Sequence, residues 1–141
     1  MKVRRFAVFT VNGKPEGKGR PRWDGRNKRM YTPGSTKVYE SAVAWACRAA
    51  MGGLKPKKGP VEVLVVANKK VPAHVNKRTR EMMLDGKIKP VSRPDLDNVI
   101  KSVLDGCNGI AYEDDAQVVT ISAYAQYSDT PCVYVEFYEE V

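Results

Sequence analysis

The run Val61-Glu62-Val63-Leu64-Val65-Val66-Ala67 constrains the fold more than any other stretch. Six of its seven residues are apolar, and it is too short for a buried helix. It reads as a strand, and as a central one. Residues 5–11 alternate and mix β-branched with aromatic side chains, so they read as a second strand. Asp24-Gly25-Arg26-Asn27-Lys28 reads as the turn of a hairpin that returns through Arg29-Met30-Tyr31. Residues 36–51 carry a helical pattern, capped by Ser35 or Thr36 and stopped by Gly52-Gly53. Val38, Ala42, Trp45 and Ala49 share one face of that helix, widened by Tyr39, Val43 and Ala46. This face is expected to lie on a sheet, with Trp45 in the core. A short helix is expected near residues 77–84, ended by Asp85-Gly86. Residues 117–125 and 132–138 alternate as strands joined by a turn near Ser128-Asp129, and a terminal hairpin is expected there. The order points to an α+β fold of the α/β-sandwich kind. A single mixed β-sheet would carry two main helices packed on one face. Its other face would be open to solvent or to a partner subunit. A length of 141 residues fits one domain spanning 1–141.

The second of those helices opens in the stretch Arg93-Pro94-Asp95-Leu96-Asp97-Asn98-Val99-Ile100-Lys101. Pro94 discourages helix before Asp95. Val99, Ile100, Val103, Leu104 and Cys107 form one buried stripe at helical spacing. Asp97, Lys101 and Asp105 fall at i, i+4 and i+8 on the polar face. Glu113-Asp114-Asp115 follows after the turn-like Asn108-Gly109. One aspartate at a helix start is explained as a cap. Capping does not require two of them with a further acidic group downstream. Carboxylates from two neighbouring elements suit a hard divalent cation such as Mg²⁺, which takes oxygen ligands.

Charge is divided along the chain. All 24 lysines and arginines lie in residues 1–101, which carry a net charge of +16, while residues 102–141 carry −8. A basic face beside an acidic patch suits a metal-dependent enzyme acting on a polyanion, with cations on phosphates and acids on metal. No apolar run approaches the ~20 residues of a membrane span, and the N-terminus has no apolar secretory core. A cytoplasmic protein with no membrane partner is expected. Cys47, Cys107 and Cys132 form no CxxC pair, which argues against zinc and for buried, reduced thiols. His74, the one histidine, lies in a polar loop and is a poor candidate for a triad.

The loop after the first strand, residues 14–23, is dense in glycine, proline and base, and lacks Walker A spacing. Lys14, Lys18, Arg20 and Arg22 can take phosphates, as can Arg93 beside the acids. Trp23 either stacks on a base or packs on the core.

The Arg93–Lys101 stretch, with Leu104-Asp105-Gly106, Asn108-Gly109 and Glu113-Asp114-Asp115-Ala116-Gln117-Val118, resembles the RusA family of Holliday-junction resolvases, often encoded by prophages. The resemblance implies a homodimeric, Mg²⁺-dependent endonuclease that nicks four-way junction DNA symmetrically, with Mn²⁺ as the alternative ion. It implies metal-binding and catalytic roles for Asp95, Asp97 and Asp115, and a catalytic role for Lys101. Asn98 and Asp114 would support the ligands. The alternatives are a non-catalytic junction-binding accessory protein and a less selective metal-dependent nuclease.

Overall fold

The structure is a computed structural model and describes residues 2–31 and 34–141. Ten-residue β1 (Val3–Asn12) leads into a separate two-stranded ribbon, β2 (Arg22–Asp24) and β3 (Arg29–Tyr31). Helix α1 (Gly34–Met51), β4 (Val61–Lys70), α2 (Lys77–Leu84) and α3 (Leu96–Cys107) follow. A single 3-10 turn (Asp115–Gln117), β5 (Val118–Ser128) and β6 (Cys132–Glu140) complete the chain. The fold is α+β, with one mixed four-stranded sheet in the order β1-β6-β4-β5 and helices α1 and α3 sharing its core.

The apolar run does lie at the centre. β4 pairs antiparallel with β6 and parallel with β5. The expected terminal hairpin is not formed. β5 and β6 follow one another in sequence, but β4 lies between them. A strand as apolar as β4 loses most by facing water at an edge, so it takes a neighbour on each side. β5 carries exposed Val119, Ile121 and Tyr124 and occupies the edge.

Ala7, Phe9 and Val11 of β1 face Phe137, Val135 and Val133 of β6 across one side of the sheet. A bulge between Arg5 and Ala7 lets Phe6 join them, its ring 6.0 Å from that of Phe137. Tyr112 closes the core at the end of α3. Its hydroxyl donates to the Leu104 carbonyl at 2.6 Å, and its ring meets Phe137 edge-on at 5.7 Å.

Helix α1 is rotated relative to expectation. It buries Thr36, Tyr39, Val43, Cys47 and Met51, while Trp45 is 73% exposed and Val38 72% exposed. Both sides of α1 carry apolar residues at helical spacing, so periodicity permits either rotation. The approach of α3 decides between them. Gly106 of α3 lies so close to Val43 that an added Cβ would come within 2.7 Å of the valine Cβ. A β-branched side chain fits at that crossing, and an indole does not. Ser35 and Thr36 lie inside the helix rather than capping it, and the Thr36 hydroxyl accepts from the Gly19 amide at 3.0 Å. Cys47 and Cys107 are buried free thiols, and burial pushes the Cys107 thiol up.

Candidate active site

Helix α3 presents its acids as the periodicity requires. Val99, Val103 and Cys107 are fully buried, and Asp97 and Lys101 are exposed on the opposite side. Asp95 occupies the N-cap position in extended backbone (φ −64°, ψ 144°), yet its side chain makes no capping hydrogen bond. Its carbonyl alone accepts the amides of Asn98 and Val99, each at 3.1 Å. The carboxylate is therefore not spent on capping. Asp97 sits in the first turn, where the helix dipole favours a negative charge. Among the described residues no ion pair joins Lys101 to Asp97, so the simple i,i+4 salt bridge is not made.

Two elements hold this helix start in place. From β4, the Lys69 ammonium donates to the carbonyls of Ser92 and of Pro94, the latter at 2.9 Å. From the basic loop, Gly17 packs so closely that a Cβ there would meet Pro94 Cβ at 3.0 Å and Asn98 Cβ at 3.1 Å. The next amide, Lys18, donates to the Asn98 carbonyl at 3.1 Å. Asn98 thus helps to seat the basic loop beside the acids. A Cβ at this position would force Pro94 and Asn98 to give by a few tenths of an ångström, so glycine eases the close approach.

The loop cations divide into two groups. Lys18 turns inward to the protein's own acids, 2.6 Å from Glu40 and 3.0 Å from Asp105, with its side chain 25% exposed. The Glu40 hydrogen bond, reinforced by Asp105, raises its pKa against the opposing effect of burial. Lys14, Arg20 and Arg22 are exposed. Arg93 is exposed too, with its guanidinium 3.9 Å from the Asp95 carboxylate. Trp23 pairs with Met30 across the β2–β3 ribbon and is 60% exposed, so it is not a core residue.

The later acids lie at the other end of α3. Asp114 is structural: its carboxylate accepts the Ala116 amide, and the Gln117 side chain accepts the Glu113 and Asp114 amides. Asp115 is exposed and close to two other acids. The Asp114 side chain, with smaller contributions from burial and from Asp105, holds its carboxyl above the usual aspartate range. Asp105 stands eight residues beyond Asp97, or about 12 Å along the helix axis. Asp95 lies near Lys69 at the end of β4, whereas Asp115 precedes Val118, which pairs with Val61 at the start of β4. Within one chain Asp95 and Asp115 therefore stand toward opposite ends of β4. Among the described residues no three His, Cys, Asp or Glu side chains gather in a metal-holding group. Asp95 and Asp97 are hard oxygen donors with no capping bond on Asp95, which fits an ion that takes one or two carboxylates plus water and phosphate. Among the described residues no third carboxylate joins them inside a single chain.

Comparison with known proteins decides the family. The model described as Endodeoxyribonuclease RusA matches residues 12–138, a span holding every candidate residue named above. The chain belongs to the RusA family. It is also 34% identical over 134 residues to a Bacillus subtilis (strain 168) protein described as "Uncharacterized protein YqaN", covering 90% of this chain and 92% of that one. RusA proteins are endodeoxyribonucleases, hydrolases acting on DNA. Among the described residues of this RusA-family chain, no helix is long and apolar enough to cross a membrane.

Two features of this RusA-family site escaped sequence reasoning. Lys69 was legible only as a charge at the end of an apolar run, because nothing local shows that its ammonium reaches residues 92 and 94. Gly17 was one glycine among several, and only its packing on Pro94 and Asn98 sets it apart.

Proposed function

We propose that this RusA-family chain is a Mg²⁺-dependent homodimeric endonuclease that resolves four-way DNA junctions in the cytoplasm by paired symmetric nicks, in recombination and repair. One observation carries the reading: Asp95 and Asp97 stand exposed at the head of α3, uncommitted to capping in the case of Asp95, with a basic loop packed against that same helix start. Asp95 and Asp97 would hold the ion, with Mn²⁺ as the alternative to Mg²⁺. When bound, such an ion lowers the pKa of a water and polarises a phosphodiester oxygen. Lys101, one turn beyond Asp97, is placed to offset charge developing on the phosphate. Lys14, Arg20, Arg22 and Arg93 offer charge to neighbouring phosphates, and exposed Trp23 offers a ring for stacking. Asn98 and Asp114 act through backbone placement and capping, and Lys18 acts by anchoring the loop.

Two symmetric cuts call for two sites related by a two-fold axis. Because Asp95 and Asp115 stand toward opposite ends of β4 within one chain, this reading assigns Asp115 to the site of the second copy.

The test is a cleavage assay on a labelled four-way junction, with and without Mg²⁺, beside linear duplex and RNA of matching sequence. Paired nicks in the junction alone, dependent on metal and lost in Asp97→Asn while binding persists, are expected. Tight binding without nicks would turn the reading to an accessory protein. Cuts in all substrates would turn it to an unselective nuclease.

A further inference from the structure

A cleft of about 330 Å³ opens where the end of β4, the start of the basic loop and the segment before α3 meet. Four of its eight lining residues are cations, Lys14, Lys69, Lys70 and Arg93, and none is acidic. The remaining wall is Ser92 and three prolines. We propose that this cleft binds one phosphodiester of the DNA strand, adjacent to the phosphate that Asp95 and Asp97 face. The proposal rests on the nuclease reading above and gives it a substrate subsite.

Position, charge and rigidity support the assignment. Pro94 lines the cleft and Asp95 is the next residue, so a strand lying over the acids passes the cleft within a nucleotide or two. Among the described residues, Lys14, Lys69 and Lys70 form no ion pair with any acid, and the one contact of Arg93 is long, at 3.9 Å. A concave site lined by one sign of charge focuses its field and favours an anion. Lys18, only four residues beyond Lys14, shows the contrast, since its charge is already matched by Glu40 and Asp105. The walls are fixed. Pro15 is fully buried, Pro131 accepts the Gly13 amide at 3.0 Å, and Lys69 clamps the Ser92 and Pro94 carbonyls. Prolines supply no N–H, so recognition falls to the ammonium and guanidinium groups. Such contacts position a strand without reading its sequence.

The salt dependence of junction binding tests this, measured by fluorescence anisotropy without divalent ions. Wild type is compared with Lys14→Ala/Lys70→Ala and with Lys55→Ala/Lys58→Ala, a control pair of equal charge on the exposed loop before β4. Loss of one phosphate contact should make the slope of log K against log salt less negative by about 0.9 in the first pair only. A cost of roughly tenfold in affinity at fixed salt should accompany it. Equal effects in both pairs would mean a diffuse field and overturn the cleft, as would an unchanged slope in the first pair. Inorganic phosphate titrated by calorimetry distinguishes the other source of the same chemistry. Saturable phosphate binding lost in the first pair, with an unchanged DNA slope, would assign the cleft to a free anion and overturn the strand subsite. The nuclease reading is tested separately by Mg²⁺-dependent nicking in wild type, and its failure leaves the slope comparison interpretable by itself.

Discussion

Gly106 of α3 faces Val43 of α1 with no room for a side chain between them. A Cβ at residue 106 would lie 2.7 Å from both Cβ and Cγ1 of Val43 and 3.0 Å from the Glu40 carbonyl oxygen. The glycine in Leu104-Asp105-Gly106 therefore sets how closely the helix bearing the candidate acids approaches its neighbour. Gly106→Ala should destabilise the fold by about 1–3 kcal/mol through overpacking. Urea unfolding at neutral pH measures this, and a neutral result would mean that the helices part without cost.

The rotation of α1 predicts opposite outcomes for two neighbouring residues. Trp45→Ala should change stability by no more than ~0.5 kcal/mol, as expected for an exposed surface position. Val43→Ala should cost about 2 kcal/mol, because its side chain is fully buried. Thermal or urea unfolding of the two variants side by side gives the comparison. A larger loss at Trp45 would restore the sheet-facing orientation expected from sequence.

Tyr112 places a buried hydroxyl on the Leu104 carbonyl. Tyr112→Phe should cost about 1–2 kcal/mol, since the ring packing remains and the carbonyl loses its partner. Faster amide exchange at the end of α3 should accompany the loss if this bond pins the helix terminus.

Glu136 is buried on the open face of the sheet, accepting from the Tyr138 and Tyr134 hydroxyls, with Arg5 3.6 Å away. The Tyr138 bond first, and the Tyr134 bond next, hold its carboxyl below the ordinary glutamate value of 4.5. A carboxyl with a lowered pKa stabilises the fold fully above its unfolded value, and that contribution disappears as pH falls through the folded one. Tyr138→Phe should therefore raise the Glu136 pKa toward 4.5 and shrink the stability lost on acidification below that value. Carbon-13 titration of the carboxyl and urea midpoints at neutral and acid pH report both effects.

The separation of Asp95 from Asp115 makes a prediction about shared sites. Asp97→Asn and Asp115→Asn proteins should each be inactive alone. Mixed as heterodimers, they should recover nicking of one strand, because one site then combines intact Asp95 and Asp97 with the other copy's Asp115. If each site were built within one chain, the mixture would hold no intact site and would not nick. Gel analysis of labelled junction strands distinguishes the two.

Local elements and the chemistry they offer were legible in the order of residues alone. The stripe Val99-Val103-Cys107 set the rotation of α3 and so exposed Asp97 and Lys101, because the opposite face of that helix has no competing apolar set. The run at 61–67 marked a central strand, and the division of charge marked a chain suited to a polyanion. Tertiary structure decided what these elements meet. α1 could bury either of two apolar faces, and the close approach of Gly106 selected Val43 over Trp45. β5 and β6 could have paired, but β4 took the place between them. Lys69 acquired its role from carbonyls more than twenty residues away. Periodicity is a property of a single segment, legible wherever one face clearly dominates. The choice of partner depends on every other segment competing for the same burial, so it is settled only when the chain packs.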